Sequence, residues 1–254
     1  PLAVFCGILM GIVMGIFMGY FHILMNTNLI LTGVAINTFT RGATVMILYT
    51  FTGDKGSSSL VKSLAVGNWD IPVIKDIPIL GQILSGHNGF TYFAFLAVIF
   101  TWFLMYRTPL GLRIRAVGEN SSAAESVGEN PAKSKLIALG FSGFFSALGG
   151  MYMSMGNMSV FITNMTGGRG FIGVAADAMG RGNPIGAMLA SLLFGAANAV
   201  ANVLQINNFP VDMVMAIPYV VSIAGIIIYS ANEQHRKNSR VKQAIRAAER
   251  EETA

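Results

Sequence analysis

Residues 2–25 read LAVFCGILMGIVMGIFMGYFHILM, a run without a single aspartate, glutamate, lysine or arginine. As a helix, such a run rises about 36 Å at 1.5 Å per residue, enough to cross the roughly 30 Å hydrocarbon core of a bilayer. Gly7, Gly11, Gly15 and Gly19 recur every four residues, which places all four on one face. A ridge of that kind lets a second helix approach backbone to backbone. Helix packing is the plain reading, and a contact with a partner subunit is the other.

The pattern continues outward. Of the 254 residues, 53% are hydrophobic and 11% are charged, where a soluble domain carries about a quarter charged residues. So few charges cannot coat a water-exposed surface, so lipid solvates most of the outside. Further spans read at Leu29 to Phe51, Phe90 to Tyr106, Lys135 to Met155, Ile185 to Leu204 and Val211 to Ser230, with a short, interrupted segment at Gly170 to Gly182. The expected fold is all-α: a polytopic transmembrane helical bundle with five or six full spans and one broken or short helix. Residues 1–230 form the membrane domain, and 231–254 a basic cytoplasmic tail. The chain begins at Pro1 without a methionine, so earlier spans are expected to precede it. Cys6 is the one cysteine, which leaves no internal disulfide.

Basic residues set the orientation. Arg107, Arg113, Arg115, Lys133 and Lys135 flank one polar stretch, and Arg236, Lys237, Arg240, Lys242, Arg246 and Arg250 fill the tail. Those are 11 of the 17 basic residues, so both segments are expected in the cytoplasm. The loop from Thr52 to Gly89 is balanced in charge and faces outward. Two cytoplasmic segments need an even number of crossings between them, yet only three full spans intervene. The short segment around Phe171 to Met179 must therefore cross too, inside protein or beside a water-filled cavity.

The polar stretch 108–135, TPLGLRIRAVGENSSAAESVGENPAKSK, has a helix-prone core at Ser121 to Val127. Ser121 and Ser122 are expected to cap it, with Glu125 completing a capping box, and Gly128 to end it. A short helix along the membrane face suits docking to another protein, although a charged loop that merely fixes topology has the same composition. The stretch resembles the coupling loop of permeases from the ribose and nucleoside branch of ABC importers. The likeness continues through LIALGFSGFFSALGGMY (136–152), GRGFIGVAADAMGRGNPIGAMLASLLFG (168–195) and IPYVVSIAGIIIYS (217–230). LILTGVAIN (29–37) and IKDIPILGQIL (74–84) resemble its nucleoside-type members in particular.

This resemblance implies the transmembrane half of an importer in the bacterial inner membrane. It implies a cytoplasmic ABC ATPase that binds ATP and Mg and receives the loop within 107–135. It also implies a second permease subunit, like or unlike this one, and an extracytoplasmic substrate-binding lipoprotein. Gly118, Glu119, Asn120, Ala123, Glu125 and Gly128 are then the residues that face the ATPase. The cargo is a nucleoside, or alternatively ribose or another simple sugar. No GxxxxGK phosphate loop occurs, so no cofactor is assigned to this chain itself.

Polar side chains at membrane depth mark a possible route. Arg41 sits inside the second span with Asn37 and Thr38 one turn earlier, where they can line a cavity that binds hydroxyls. Arg41 can instead snorkel outward. Asn198 and Asn202 share a helix face and either join that route or bridge helices. Asp177 lies between Arg169 and Arg181, an arrangement that suits an ion pair holding a bend. His22, His87 and His235 lack metal-ligand spacing, and no nucleophile is paired with a base, so neither a metal site nor a catalytic site is indicated. The rival of another class, an ion-coupled secondary transporter, is weakened by how few acids lie within spans. The tail is either a surface helix drawn to anionic lipid or a topology-fixing cluster. The positive charge follows the spans, so nucleic acid is not an expected partner.

Overall fold

The computed structural model describes residues 2–60, 66–69 and 85–206, with Val220, Gly225 and Ile227. The chain divides into two compact units, residues 1–167 and 168–254. The first unit holds helices α1 (Leu2–Leu24), α2 (Leu29–Thr52), α3 (Gly89–Arg107), α4 (Pro109–Glu119), α5 (Ser121–Ser126) and α6 (Pro131–Met151). It also holds the short antiparallel ribbon of β1 (Asn68–Trp69) and β2 (His87–Asn88). The second holds α7 (Arg169–Gly180) and α8 (Pro184–Ile206). Five helices among the described residues are long and apolar enough to cross a membrane: α1, α2, α3, α8, and α6 with the π-helical turn Tyr152–Asn157 that extends it. The chain is a polytopic helical membrane protein.

The glycine ridge of α1 is a packing face. An ideal Cβ on Gly11 would lie 2.6 Å from the Gly143 carbonyl oxygen, and one on Gly15 would lie 3.2 Å from the Gly143 Cα and collide with the Leu139 carbonyl. At the two ends, Gly7 faces Met151 and Gly19 faces Leu136 and Leu139. This register makes α1 and α6 antiparallel, in backbone contact where Gly11 and Gly15 meet Leu139 and Gly143. Close approach of this kind multiplies dispersion contacts, which is how membrane helices adhere when no hydrophobic effect separates them from lipid.

One end of this unit carries the α1–α2 corner. Its tight path puts Asn26 in the left-handed region at φ 49°. His22 Nδ1 hydrogen-bonds the Thr27 carbonyl at 2.8 Å, Thr27 Oγ1 donates to the Phe21 carbonyl, and Asn28 caps α2 through Ile30 N–H at 2.9 Å. The opposite end is closed by loops. Ser58 N–H donates to the Phe161 carbonyl, Thr163 N–H to the Gly56 carbonyl, and Val66 N–H to the Met155 carbonyl. Buried Asn88 both caps α3 and donates to the Val66 carbonyl. The described part of the 52–89 loop thus sits at the end remote from α4 and α5.

In the second unit α7 and α8 form an antiparallel hairpin around Ala176, Ala190 and Phe194, with Phe194 only 1% exposed. Gly180 abuts Gly186 and Ala187 so closely that a Cβ on Gly186 would lie 2.8 Å from the Gly180 carbonyl oxygen. The segment read as interrupted is a continuous 12-residue helix, about 18 Å long and so only part of a span. The span read at Val211 to Ser230 lies almost wholly outside the described residues, as do the tail and residues 74–84.

Candidate functional site

Between Arg107 and Lys135 the chain leaves α3 and returns through α6, and each turn is fixed by one short polar side chain. Thr108 is the single residue between α3 and α4. Its hydroxyl donates to the Leu104 carbonyl at 2.6 Å and accepts from Gly111 N–H at 3.2 Å, with Pro109 at the first helical position. A Cβ on Gly111 would strike the Leu104 carbonyl, so only glycine allows this corner. Asn120 accepts from Ala123 N–H and Asn130 from Lys133 N–H, both at 3.1 Å. Each such cap contributes about 1 kcal/mol to its helix.

Three expectations are corrected here. The cap of α5 is Asn120 rather than Ser121 or Ser122. Its side chain reaches the third residue of the turn, while Ser121 Oγ donates back to the Val117 carbonyl and Ser126 Oγ to the Ser122 carbonyl. The polar stretch also holds a second helix, α4, that was read as loop. The signal was present: Thr-Pro at 108–109 and Asn-Pro at 130–131 each place a cap before a proline at the first helical position. The same signal starts α6 at Pro131, four residues before the expected Lys135.

Gly128 ends α5 as expected. It sits at φ 87°, its N–H reaches the Glu125 carbonyl at 2.9 Å, and Glu129 N–H reaches the Ala124 carbonyl at 3.1 Å. That pair of bonds is the Schellman closure, which a glycine at positive φ makes without strain. Val117 and Ala124 point inward, 3% and 5% exposed, and burying the valine contributes roughly 1.5–3 kcal/mol. Gly118, Glu119, Asn120, Ala123, Glu125 and Gly128 are all exposed. Val127 stands 84% exposed beside them.

Sequence reasoning missed one residue. Glu129 Oε2 lies 3.4 Å from Arg113 Nε on α4, while its Oε1 accepts from the Ser134 hydroxyl on α6 at 3.0 Å. Ser134 is buried. Arg107 and Arg115, read only as topology signals, stack over Trp102 and Tyr106, at 5.9 and 4.7 Å from the ring centroids. Such contacts add about 0.5–1 kcal/mol each at exposed positions. Between this segment and the α1–α2 corner lies a cleft of about 880 Å³, lined among others by His22, Asn26, Glu125, Glu129 and Lys135.

The remaining polar residues fall into two groups, one in each compact unit. Asn37 and Arg41 are exposed one turn apart on α2, and neither has a side-chain partner among the described residues. Thr38 donates its hydroxyl to the Val34 carbonyl of its own helix at 3.0 Å. On α8, Asn198 is half-buried and Asn202 exposed, one turn apart beside the face that carries Phe194. Asp177 is exposed and forms no ion pair with a described residue. The bend between α7 and α8 is closed by backbone bonds, from Arg181 N–H to the Ala178 carbonyl and Gly182 N–H to the Asp177 carbonyl, both 3.3 Å. Arg181 itself takes the left-handed conformation at φ 55°. No group of His, Cys, Asp and Glu among the described residues is arranged to hold a metal ion.

The family described as the permease component of the branched-chain amino acid transport system matches residues 1–228. The chain belongs to this family. Among this permease's relatives is the guanosine ABC transporter permease protein NupQ of Bacillus subtilis, 33% identical over 200 residues, 77% of this chain and 62% of the relative. The nucleoside ABC transporter permease protein NupC of Lactococcus lactis is 30% identical over 205 residues, 79% of this chain and 64% of the relative. The ribose import permease protein RbsC of B. subtilis is 27% identical over 153 residues, 57% of this chain and 44% of the relative. The permease thus groups with the ribose and nucleoside branch that its motifs resemble, and it spans about three fifths of the length of NupQ and NupC. No solved structure matches it.

Proposed function

We propose that this permease moves nucleosides inward across the bacterial inner membrane, driven by ATP that a separate cytoplasmic subunit binds with Mg and hydrolyses. The observation that carries the reading is the α4–α5 segment. It is a pair of short helices, capped at every turn and anchored by Val117 and Ala124, that presents Gly118, Glu119, Asn120, Ala123, Glu125 and Gly128 to solvent. A polar segment held this firmly suits a rigid contact that transmits force. In this reading it seats in a groove of the ATPase, a second permease subunit completes the membrane part, and a binding lipoprotein delivers cargo from outside. Closure of the ATPases moves the segment, and the spans reorient in alternating access. Nucleosides are favoured as cargo because two relatives that each match more than three quarters of this chain are named for guanosine and nucleosides.

The ribose relative supports a second reading, in which the cargo is ribose or another simple sugar. An ion-coupled transporter of another class has no comparable support. Uptake of labelled guanosine or uridine, in cells with and without the gene, separates the readings. Loss of uptake on deletion, with competition by unlabelled nucleosides and not ribose, supports nucleosides. Competition by ribose supports the sugar reading. Uptake that survives ATP depletion and collapses with an uncoupler overturns both.

The polar groups are assigned to a weakly binding route through the membrane: Asn37, Thr38 and Arg41 on α2, Asn198 and Asn202 on α8. An exposed, unpartnered arginine midway along a 24-residue span is costly in hydrocarbon, which favours a wet or polar setting. Replacing Arg41 and Asn37 together with alanine is expected to lower uptake about tenfold, the effect of about 1.4 kcal/mol. Unchanged uptake by a correctly inserted variant removes both residues from the route.

A further inference from the structure

Glu129 joins three helices through three different atoms. Its N–H closes α5 on the Ala124 carbonyl at 3.1 Å, its Oε2 meets Arg113 of α4 at 3.4 Å, and its Oε1 takes the hydroxyl proton of Ser134 in α6 at 3.0 Å. The Glu129 side chain is three-quarters buried, whereas the Arg113 side chain is 64% exposed. Both carboxylate oxygens are therefore used, and the charge lies just before the N-terminus of α6, where the helix dipole favours an anion. Beyond Glu129, α6 runs as one helix from Pro131 to Met151, and the π-helical turn that follows accepts Val66 N–H through the Met155 carbonyl in the loops at the far end. Around Leu139 and Gly143 α6 is in backbone contact with α1.

We infer that Glu129 is a positioning residue, the latch that makes α4 and α5 move as one body with α6. This rests on the reading of α4–α5 as the segment an ATPase drives. Without the latch α5 shifts more readily against α6, because only apolar packing and the four-residue link Val127–Asn130 would connect them. With it, displacement of α5 is carried into α6, and through the glycine contact into α1. The exposed residues around α5 then make the contact, and Glu129 passes the motion on without touching partner or cargo.

The test uses the complete transporter in liposomes, with Glu129→Gln, which keeps the shape of the side chain and removes its charge. Solute moved per ATP hydrolysed should fall about tenfold while hydrolysis continues, the scale of one charge-assisted hydrogen bond. Arg113→Ala should lower the same ratio, and the double substitution should do no more than the worse single one, as expected for partners in one interaction. Amide exchange of α5 should rise about tenfold in Glu129→Gln, with α1 and the middle of α6 unchanged. A ratio equal to wild type, uptake and hydrolysis falling in parallel, additive effects, or unchanged exchange in α5 would each overturn the inference. A wild-type protein that shows no ATP-driven uptake would instead fail the proposed function, and the exchange experiment would still decide for or against the latch.

Discussion

The α1–α6 pair and the α4–α5 segment are held together by opposite means. Between α1 and α6 there is no side-chain hydrogen bond; order comes from the absence of side chains at Gly11, Gly15 and Gly143, which lets two backbones touch. In α4–α5, order comes from small polar side chains that bind the backbone, with Thr108, Asn120 and Asn130 each capping the next helix and Glu129 bridging two of them. The difference follows the solvent. In lipid, apolar side chains gain little by meeting each other rather than acyl chains, so shape and close contact decide which helices pair. Beside water, a short helix cannot survive on its own hydrogen bonds, because nucleation is unfavourable, so caps and a few anchors must supply the stability. One region should therefore fail by steric intrusion and the other by loss of single hydrogen bonds.

The largest expected effect is in the glycine contact. A Cβ on Gly143 would collide with the Gly11 carbonyl and come within 3.2 Å of the Gly15 Cα, and the obstacle in each case is backbone. Gly143→Leu should separate α1 from α6 and destabilise the fold by about 3 kcal/mol or more, the upper range for overpacking. Unfolding in detergent, read as the shift in denaturation midpoint, measures this; a shift under a third of that size would mean that the helices are held elsewhere. A smaller effect is expected at Asn120→Ala. Losing that cap removes about 1 kcal/mol, so amide exchange at Ala123 should quicken about fivefold with no change in the unfolding midpoint of the membrane helices. A fall in that midpoint would show that α5 supports the bundle as well as resting on it.

These two mechanisms also explain what the sequence disclosed. The four-residue glycine period and the apolar run both lie along one helix, so the packing face of α1 could be read from local spacing. Only the identity of its partner needed three dimensions. The polar stretch was harder. Asn120, Ser121 and Ser122 are all competent caps, and which one is used depends on where α4 ends, which in turn depends on the corner at Thr108 and Gly111. The start of α6 at Pro131 was obscured because Lys133 and Lys135 resemble loop residues, although they lie in the first turns of a helix, Lys133 exposed and Lys135 half-buried. The latch was out of reach for a different reason: Arg113 and Glu129 are 16 residues apart, and only two intervening helix ends of fixed geometry bring them together. Asn37 and Arg41, or Asn198 and Asn202, were legible as pairs because a turn of helix separates them. What faces each pair was not.

The smallest effect makes the sharpest test of the contrast. Gly140 lies on α6 three residues before Gly143, yet a Cβ built there meets no described residue within 4 Å. In a helix interior alanine is favoured over glycine by about 0.8–1.0 kcal/mol, so Gly140→Ala should raise the unfolding midpoint slightly. Two glycines of one helix would then respond with opposite signs, which composition or propensity alone cannot produce. If Gly140→Ala instead leaves the isolated permease as stable as wild type but lowers uptake in the assembled transporter, the open face beside Gly140 is covered by another subunit. A loss of stability in the isolated chain would have another meaning, that α6 packs through more than the ridge of α1, and the distinction between shape-held and hydrogen-bond-held regions would have to be redrawn around a wider contact.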